Sequence, residues 1–420
     1  MRQRLQALPF ALSPALLSTG LLFAIDMLTN VTDYGFHVYL GRVLDAGSFA
    51  LVQTVNAVVL VVVAVGSVLQ PVVARYVAAE SAEKARTIFQ RYTQQSVLIA
   101  LTLALIGWLA RAPIGQLLNL PIPAVLFLLG MVVVALLRPI MAGMLQGQQQ
   151  VVAFGLVRTA FAFGRFALAI LLMTLFGRTA LAGIAAYPLG GLVSLIAAAY
   201  FIGRSAWQTG VPIDPKTISD GWRVASAAFL AYAAFMFLQT VDIIWVNRTF
   251  APDVAGTYAS AVVLRRVLAV FPGAVVVILY PRIVALVKLK QLPDKLIGQA
   301  IGLIGGSTAI LTFFYFVAGE WIVGLMFGRN YTDAAPLLGW MGVAMLGYGI
   351  GTIWLNVFLA TRPRWFVVCL GATVIVQISW LALGNTTIET VLTAFGVAGW
   401  LIAMGGGLIY WLNLRPELNC

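Results

Sequence analysis

Charged residues are scarce in this chain of 420 residues. They make up 10% of the sequence, whereas hydrophobic residues make up 61%. An ordinary soluble domain has about 25% charged residues, and a chain this apolar cannot hide its surface in one water-soluble core. The composition therefore excludes an ordinary soluble globular protein.

Cysteine and histidine are almost absent. Cys369 lies within an apolar run and Cys420 is the last residue, so the two cysteines provide neither a disulfide framework nor the spacing of metal ligands. We therefore expect no redox chemistry, no metal site and no cofactor. The one histidine, His37, lies near the end of an apolar run. That position is typical of an interfacial polar residue, and we assign it no catalytic role.

Long apolar runs are what the sequence has in abundance. Runs of about 20 residues, each able to cross a hydrocarbon core about 30 Å thick, recur along the whole chain. A transmembrane β-barrel would instead show short segments of alternating hydrophobicity. We predict an all-α membrane protein with about 12 transmembrane helices, near residues 15–40, 48–74, 93–110, 122–144, 151–176, 180–203, 222–247, 254–281, 297–318, 334–360, 365–383 and 390–413.

The longest connection between apolar runs contains Pro212 and Pro215 and divides the helices into two sets of six. We predict an N-terminal lobe over residues 1–203, a cytoplasmic linker over 204–221 and a C-terminal lobe over 222–420. The string at 40–42, after the first helix, has a counterpart at 246–248, after the seventh. Two pseudo-symmetric lobes of the same membrane orientation predict a central cavity between them.

Basic residues indicate how the chain is oriented. The net charge is +12, and most lysines and arginines fall at loops that are cytoplasmic if the N-terminus is inside. The charge therefore follows the positive-inside rule and does not indicate a nucleic-acid partner. We predict a multi-pass protein of the cell inner (plasma) membrane, in contact with membrane lipids and with both termini in the cytoplasm.

A few charged residues fall inside the predicted spans, where a charge costs about 2.5–3.5 kcal/mol to insert. The aspartates are Asp26, Asp33 and Asp242. They are candidates for ion or proton coupling, or for structural pairing with arginines.

The arginines in these spans outnumber the aspartates. A guanidinium group suits phosphate oxygens, so we predict substrate-binding residues at Arg158, Arg165, Arg265 and Arg266. Arg138 and Arg158 lie near helix ends and can also snorkel to the headgroups. Arg265 and Arg266 are adjacent and about 100° apart around a helix, so we expect one of them to face the cavity.

Two stretches of the sequence resemble known transporters. Residues 39–50, followed by a long helix that ends in the string at 70–78, resemble the opening of polysaccharide flippases of the O-antigen type. Residues 326–338 resemble the turn before the tenth helix of the same family. These flippases belong to the multidrug, oligosaccharidyl-lipid and polysaccharide exporter superfamily, and the resemblance extends over nearly the whole chain through helix count and lobe order.

The resemblance implies a flippase for an undecaprenyl-diphosphate-linked oligosaccharide, which moves from the cytoplasmic to the outer leaflet by alternating access. Such flippases serve polysaccharide biosynthesis, including that of lipopolysaccharide, alongside glycan polymerase machinery. A cation gradient or the membrane potential would drive an antiporter of this kind. The family's cationic cavity corresponds to the four arginines named as substrate-binding residues. Flippases for peptidoglycan precursors usually have two more helices, which argues against a lipid II substrate.

Three other functions remain open from the sequence. A multidrug or organic-cation exporter of the same superfamily would share the fold, but it should have an acidic cavity. A membrane-embedded polysaccharide polymerase or glycosyltransferase would need clustered acids or a substantial outer loop, whereas the 14 acidic residues are scattered. A scaffold that transports nothing would neutralise its deep charges and leave no hydrated cavity. We therefore expect a transporter and no catalytic residues.

Overall fold

The computed structural model describes residues 14–208, 210–270, 293–361 and 364–414, together with 272–273, 275, 282–283 and 285–286. The described residues are almost entirely helical and contain no strand. Both chain termini lie outside them, as does Cys420, so the predicted placement of the termini in the cytoplasm stays a prediction.

The α-helices follow one another with short connections. In chain order they are α1 (Pro14–Val43), α2 (Ala46–Ser67), α3 (Leu69–Ala79), α4 (Ala82–Leu109), α5 (Arg111–Leu118), α6 (Ile122–Gly147), α7 (Val151–Phe176), α8 (Ala180–Ile202), α9 (Pro215–Leu238), α10 (Val241–Thr249), α11 (Pro252–Arg265), α12 (Asp294–Met326), α13 (Ala335–Thr361), α14 (Arg364–Leu383) and α15 (Ile388–Ile409). A 3-10 segment, Arg266–Ala269, extends α11.

Ten helical stretches of the described residues are long and apolar enough to cross a membrane. Helix α1 adds a further helix of 30 residues. The eighth predicted span begins as α11, and its second part lies largely outside the described residues. The predicted fold class, an all-α membrane protein, is confirmed.

Two predicted spans are each divided into two helices in the structure. The span predicted at 48–74 is divided at Val68 into α2 and α3, three residues before Pro71, whose ring removes a backbone donor. The span predicted at 222–247 is divided between α9 and α10. The freed carbonyl of Gln239 there accepts a hydrogen bond of 2.7 Å from Arg265 Nη2.

Polar side chains start several helices by capping backbone N–H groups that have no partner within the helix. Asp45 accepts a hydrogen bond of 2.9 Å from the backbone N–H of Ser48 at the start of α2. Thr179 and Thr387 cap α8 and α15 in the same way. Lipid offers no hydrogen-bond partners, so such caps let a membrane helix begin at the end of a short turn.

Helices α1–α8 pack mainly against one another, and so do α9–α15; we call these sets the first half and the second half. Helices α2 and α11 make the main contact between the halves. A Cβ on Gly256 would lie 2.4 Å from the backbone oxygen of Ala46, so only glycine permits this approach. The lobe limits of 1–203 and 222–420 stay a prediction.

Polar contacts join the two halves at one end of the bundle, where α1 passes into α2 and α10 into α11. We call it the outer end, because the predicted orientation places it outside the cytoplasm. Asn119 Nδ2 donates to the backbone oxygen of Asn247 at 2.9 Å, and Asn247 Nδ2 donates to that of Leu118 at 3.2 Å. Arg42 Nε donates to the last carbonyl of α12, on Met326, at 2.8 Å. The halves are therefore closed together at the outer end.

Candidate functional site

Two ion pairs join α1 to α7. Arg158 Nη1 donates to Asp26 Oδ1 at 2.7 Å, and Arg165 Nη2 donates to Asp33 Oδ1. Each pair joins residues 132 positions apart in the sequence. The constant offset means that the helices run parallel and present matching side chains about every two turns.

The two ion pairs differ in burial, and we expect them to differ in how much each contributes to the free energy of unfolding. Asp26→Asn should lower the free energy of unfolding by at most about 1 kcal/mol, because both partners are accessible and such pairs are weak. Asp33→Asn should cost more, because it leaves the buried Arg165 guanidinium without its carboxylate. Thermal unfolding of the two variants in detergent measures the difference. Equal losses would contradict this ranking.

Aromatic rings surround Arg165. Its guanidinium carbon lies 4.0 Å from the ring centre of Phe36 and 4.8 Å from that of Tyr187. The Arg165 side chain is 3% exposed, whereas the Asp33 side chain is 45% exposed. The rings therefore hold the arginine in place, and the carboxylate faces accessible space.

Arg266 reaches from the second half to the first. It follows α11, is partly exposed and lies near enough to Asp33 to interact with it electrostatically. With its amide oxygen turned toward the arginine, Asn56 of α2 accepts a hydrogen bond of 2.9 Å from Nη2 and donates one of 3.2 Å to the Tyr187 hydroxyl. Arg266 forms no salt bridge with a carboxylate of the described residues.

Arg138 adds a further positive charge to the same region. It lies on α6, partly exposed, with its guanidinium carbon 4.6 Å from the ring centre of Phe161. It is close enough to Arg158 and Arg165 to be repelled by both. Within the described part of the chain it has no salt bridge. We call this group the central cluster; its members are Asp26, Asp33, Arg138, Arg158, Arg165 and Arg266.

His37 borders the central cluster and its side chain is buried among protein groups, whereas its expected place at the membrane interface stays a prediction. Gln53 Nε2 donates to His37 Nδ1 at 2.9 Å, which places the proton of a neutral imidazole on Nε2. His37 Nε2 lies 4.0 Å from Asp33 Oδ2. Helix α2 supplies the polar partner that makes this burial possible.

Arg265 lies apart from the central cluster, inside the second half. It makes two hydrogen bonds to the carboxylate of Asp242, one of them 2.9 Å long, and its guanidinium carbon lies 4.0 Å from the ring centre of Phe395. The Tyr258 hydroxyl also donates to Asp242 Oδ2, at 2.7 Å. Arg265 and Asp242 are 3% and 0% exposed. The fork of Arg265 thus binds within its own half, whereas the adjacent Arg266 faces the other half.

The structure thus brings together three of the four arginines predicted to bind substrate and two of the three aspartates. Arg265 and Asp242 form a separate buried pair. Sequence reasoning missed Gln53, which bonds to His37, and Asn56 and Tyr187, which contact Arg266 and Arg165. Gln53 and Asn56 could have been found from the sequence, because they are polar residues in the apolar run of α2 and a buried polar side chain needs a hydrogen-bond partner.

The profile of a known protein family matches the part of the chain that contains this site. The profile of a family described as "Polysaccharide biosynthesis protein" matches residues 16–287 of the chain. All residues of the central cluster fall within that range. A sequence search of curated proteins finds no match.

Solved transporter structures share the fold. The lipid II flippase MurJ in its inward closed conformation aligns with a TM-score of 0.74 at 11% sequence identity, over 92% of this chain and 87% of that chain. The eukaryotic MATE transporter AtDTX14 aligns with a TM-score of 0.67 at 14% identity, over 95% of each chain. An inward-facing multidrug resistance MATE family transporter of the MOP superfamily also has a TM-score of 0.67 at 14% identity, over 95% of this chain and 98% of that one. At these identities the similarity shows the two-lobed transporter fold alone.

Proposed function

The chain belongs to the polysaccharide biosynthesis protein family, and on this premise we propose that it is a flippase that carries a polyprenyl-diphosphate-linked oligosaccharide from the cytoplasmic to the outer leaflet. Family and fold are those of membrane transporters and flippases, not of enzymes. The identity of the substrate, a lipid-linked oligosaccharide, is inferred from the charge of the central cluster.

The observation that carries the proposal is a surplus of arginine in the central cluster. Its ion pairs neutralise Arg158 and Arg165, but Arg138 and Arg266 have no carboxylate partner among the described residues. With a neutral His37, the cluster keeps a net charge of about plus two. A diphosphate linker carries a matching negative charge, and a guanidinium fork binds its oxygens with paired hydrogen bonds.

The physical need for such a cluster comes from the headgroup. A charged diphosphate and a string of hydroxyl groups cannot cross hydrocarbon unaided, because each polar group would lose its hydrogen bonds to water. A polar space between the halves can replace those hydrogen bonds while the polyprenyl tail stays in lipid. Arg266 and Arg138 are our candidates for direct phosphate contact, with Arg158 and Arg165 beside them. Arg265 supports the fold of the second half through Asp242.

The closed outer end fits one state of an alternating-access cycle. Breaking the contacts of Asn119, Asn247 and Arg42 would let the halves separate at the outer end and release the headgroup there. We propose that a cation gradient or the membrane potential drives the cycle as an antiporter, with Asp26 and Asp33 as candidate coupling residues. We also propose an inner-membrane location with both termini in the cytoplasm, and a glycan polymerase that acts on the product, as in lipopolysaccharide synthesis.

A multidrug or organic-cation exporter is the alternative, since MATE transporters share the fold. Its substrate would have to approach Arg138 and Arg266, which would repel a cation. The central cluster therefore favours an anionic headgroup. A polysaccharide polymerase or glycosyltransferase, the alternative of a different class, lacks support from both the family and the fold.

A leaflet-accessibility assay tests the proposed function. Proteoliposomes containing this protein and a polyprenyl-diphosphate-linked oligosaccharide should expose inner-leaflet glycan to an external lectin faster than protein-free vesicles. An organic cation loaded into the same vesicles should leave no faster than from protein-free ones. Equal glycan rates with and without protein would refute flipping, and selective cation efflux would favour the exporter.

A further inference from the structure

A pocket of about 810 Å³ opens at the outer end between the two halves. One wall comes from the start of α2 and from α5, with Asp45, Ser48 and Gln116. The other comes from the turn between α10 and α11, with Phe250 and Pro252. This volume lies in the range of sites that take small molecules. We call it the outer pocket.

The outer pocket has this shape only while the halves are closed. Asn119 and Asn247, which hydrogen-bond each other's segments across the halves, both line it. A Cβ on Gly47 would lie 2.8 Å from Pro252 Cβ, so the two walls touch there. Separation of the halves would split the pocket in two.

The chemistry of the outer pocket differs from that of the central cluster. Its described lining has one carboxylate, Asp45, and no basic side chain. A hydrogen bond from the backbone N–H of Ser48 lowers the pKa of Asp45, so this group is ionised at neutral pH. An anionic linker would be repelled here.

The lining suits a neutral sugar. Asp45 can accept hydrogen bonds from hydroxyl groups, while the amides of Gln116 and Asn119 can both donate and accept them. Phe250 and Pro252 offer an apolar surface for the C–H face of a sugar ring. Such a combination of a few polar groups on an apolar wall is typical of small-molecule sites.

We propose that the outer pocket binds a neutral sugar unit of a glycan on the outer side of the membrane, and that the bound sugar holds the two halves together at the outer end. The proposal rests on the proposed function in one respect, because that function delivers glycan to this side. Accumulated glycan would then slow its own further export.

The size of the effect follows from mass action. A ligand that contacts both halves binds the closed form and not the separated one, so it shifts the balance between them. At ten times its dissociation constant, it raises the ratio of closed to open protein about elevenfold. A reporter of outer-end opening should slow by a similar factor.

Thiol labelling of Tyr331→Cys provides that reporter, in a background with Cys369 and Cys420 changed to Ser. Tyr331 is buried at the outer end of the second half, with its ring centre 6.0 Å from that of Phe49 in the first half. A membrane-impermeant maleimide should reach the cysteine only when the outer end opens. We expect neutral disaccharides, tested as a panel, to slow labelling about tenfold at ten times the dissociation constant, and further at higher concentration.

Substitutions in α5 locate the sugar. Ala112→Trp fills the outer pocket and should abolish the effect of the disaccharide. Leu117→Trp places the same side chain at an exposed position of the same helix outside the lining, and should preserve the effect. Gln116→Ala removes a polar group without adding bulk and should weaken sugar binding severalfold, which covers the case in which the tryptophan variant fails to fold.

Several results would overturn the proposal. Labelling that no disaccharide slows, or that slows equally in Ala112→Trp, would exclude sugar binding in the outer pocket. Slowing by a tetraalkylammonium ion but not by sugar would make it a cation site. Because the assay uses no lipid-linked substrate, its failure is separable from that of the proposed function. If the protein flips the lipid-linked oligosaccharide but no disaccharide slows labelling, only the proposal of sugar binding in the outer pocket is refuted.

Discussion

Replacing Arg266 with Gln should reduce flipping of a lipid-linked oligosaccharide by about tenfold to a hundredfold. A hydrogen bond to a charged group contributes about 1.5–3 kcal/mol, which corresponds to a rate factor of this size. Arg266 is the member of the central cluster that comes from the second half, and it forms no salt bridge with a carboxylate of the described residues. The double change Arg138→Gln and Arg266→Gln should remove the net positive charge and bring flipping near the protein-free rate.

Two further variants separate the effect of the positive charge from that of the guanidinium fork and control for the loss of any arginine. Arg266→Lys keeps the charge but loses the fork, so it should retain part of the activity. Arg178→Gln removes an exposed arginine from the turn after α7, and its rate should equal that of the unchanged protein. The rates come from the leaflet-accessibility assay, and each variant is compared at equal protein incorporation. Full activity in Arg138→Gln/Arg266→Gln would remove these arginines from the substrate path.

Asp242→Asn should produce the largest loss of stability in the second half. The change leaves the Arg265 guanidinium buried without its carboxylate, and breaking a buried pair in this way costs about 3–5 kcal/mol. The Tyr258 hydroxyl also loses its charged acceptor. Thermal unfolding in detergent, followed by tryptophan fluorescence, should show a clear fall in the midpoint temperature.

The double variant Asp242→Asn with Arg265→Met tests the cause. Removing both charges should restore much of the lost stability, because no buried charge remains unpaired. Asp253→Asn changes an exposed aspartate at the start of α11 and should leave the midpoint nearly unchanged. If the double variant were as unstable as Asp242→Asn, the buried ion pair would not be the reason for the loss.

Much of the candidate site was visible in the sequence as a list of residues, but not as an arrangement. The cost of a charge in lipid marks Asp33, Arg165 and Asp242 as residues that need partners. It does not say which partner each one has. His37 shows a further limit: its place near the end of an apolar run did not reveal that Gln53, on a neighbouring helix, gives the buried ring a hydrogen-bond partner.

The fold class follows from local sequence, because apolar runs long enough to cross a bilayer must be helical when lipid offers no hydrogen bonds. The excess of arginines over aspartates within those helices is also a property of the sequence. The three-dimensional packing of the helices is needed to know which arginines have no carboxylate partner. Arg265 and Arg266 are chemically identical neighbours, yet rotation of about 100° around the helix directs one to Asp242 and the other toward the opposite half. Pairing depends on which helices are adjacent in space, and that information is absent from local sequence.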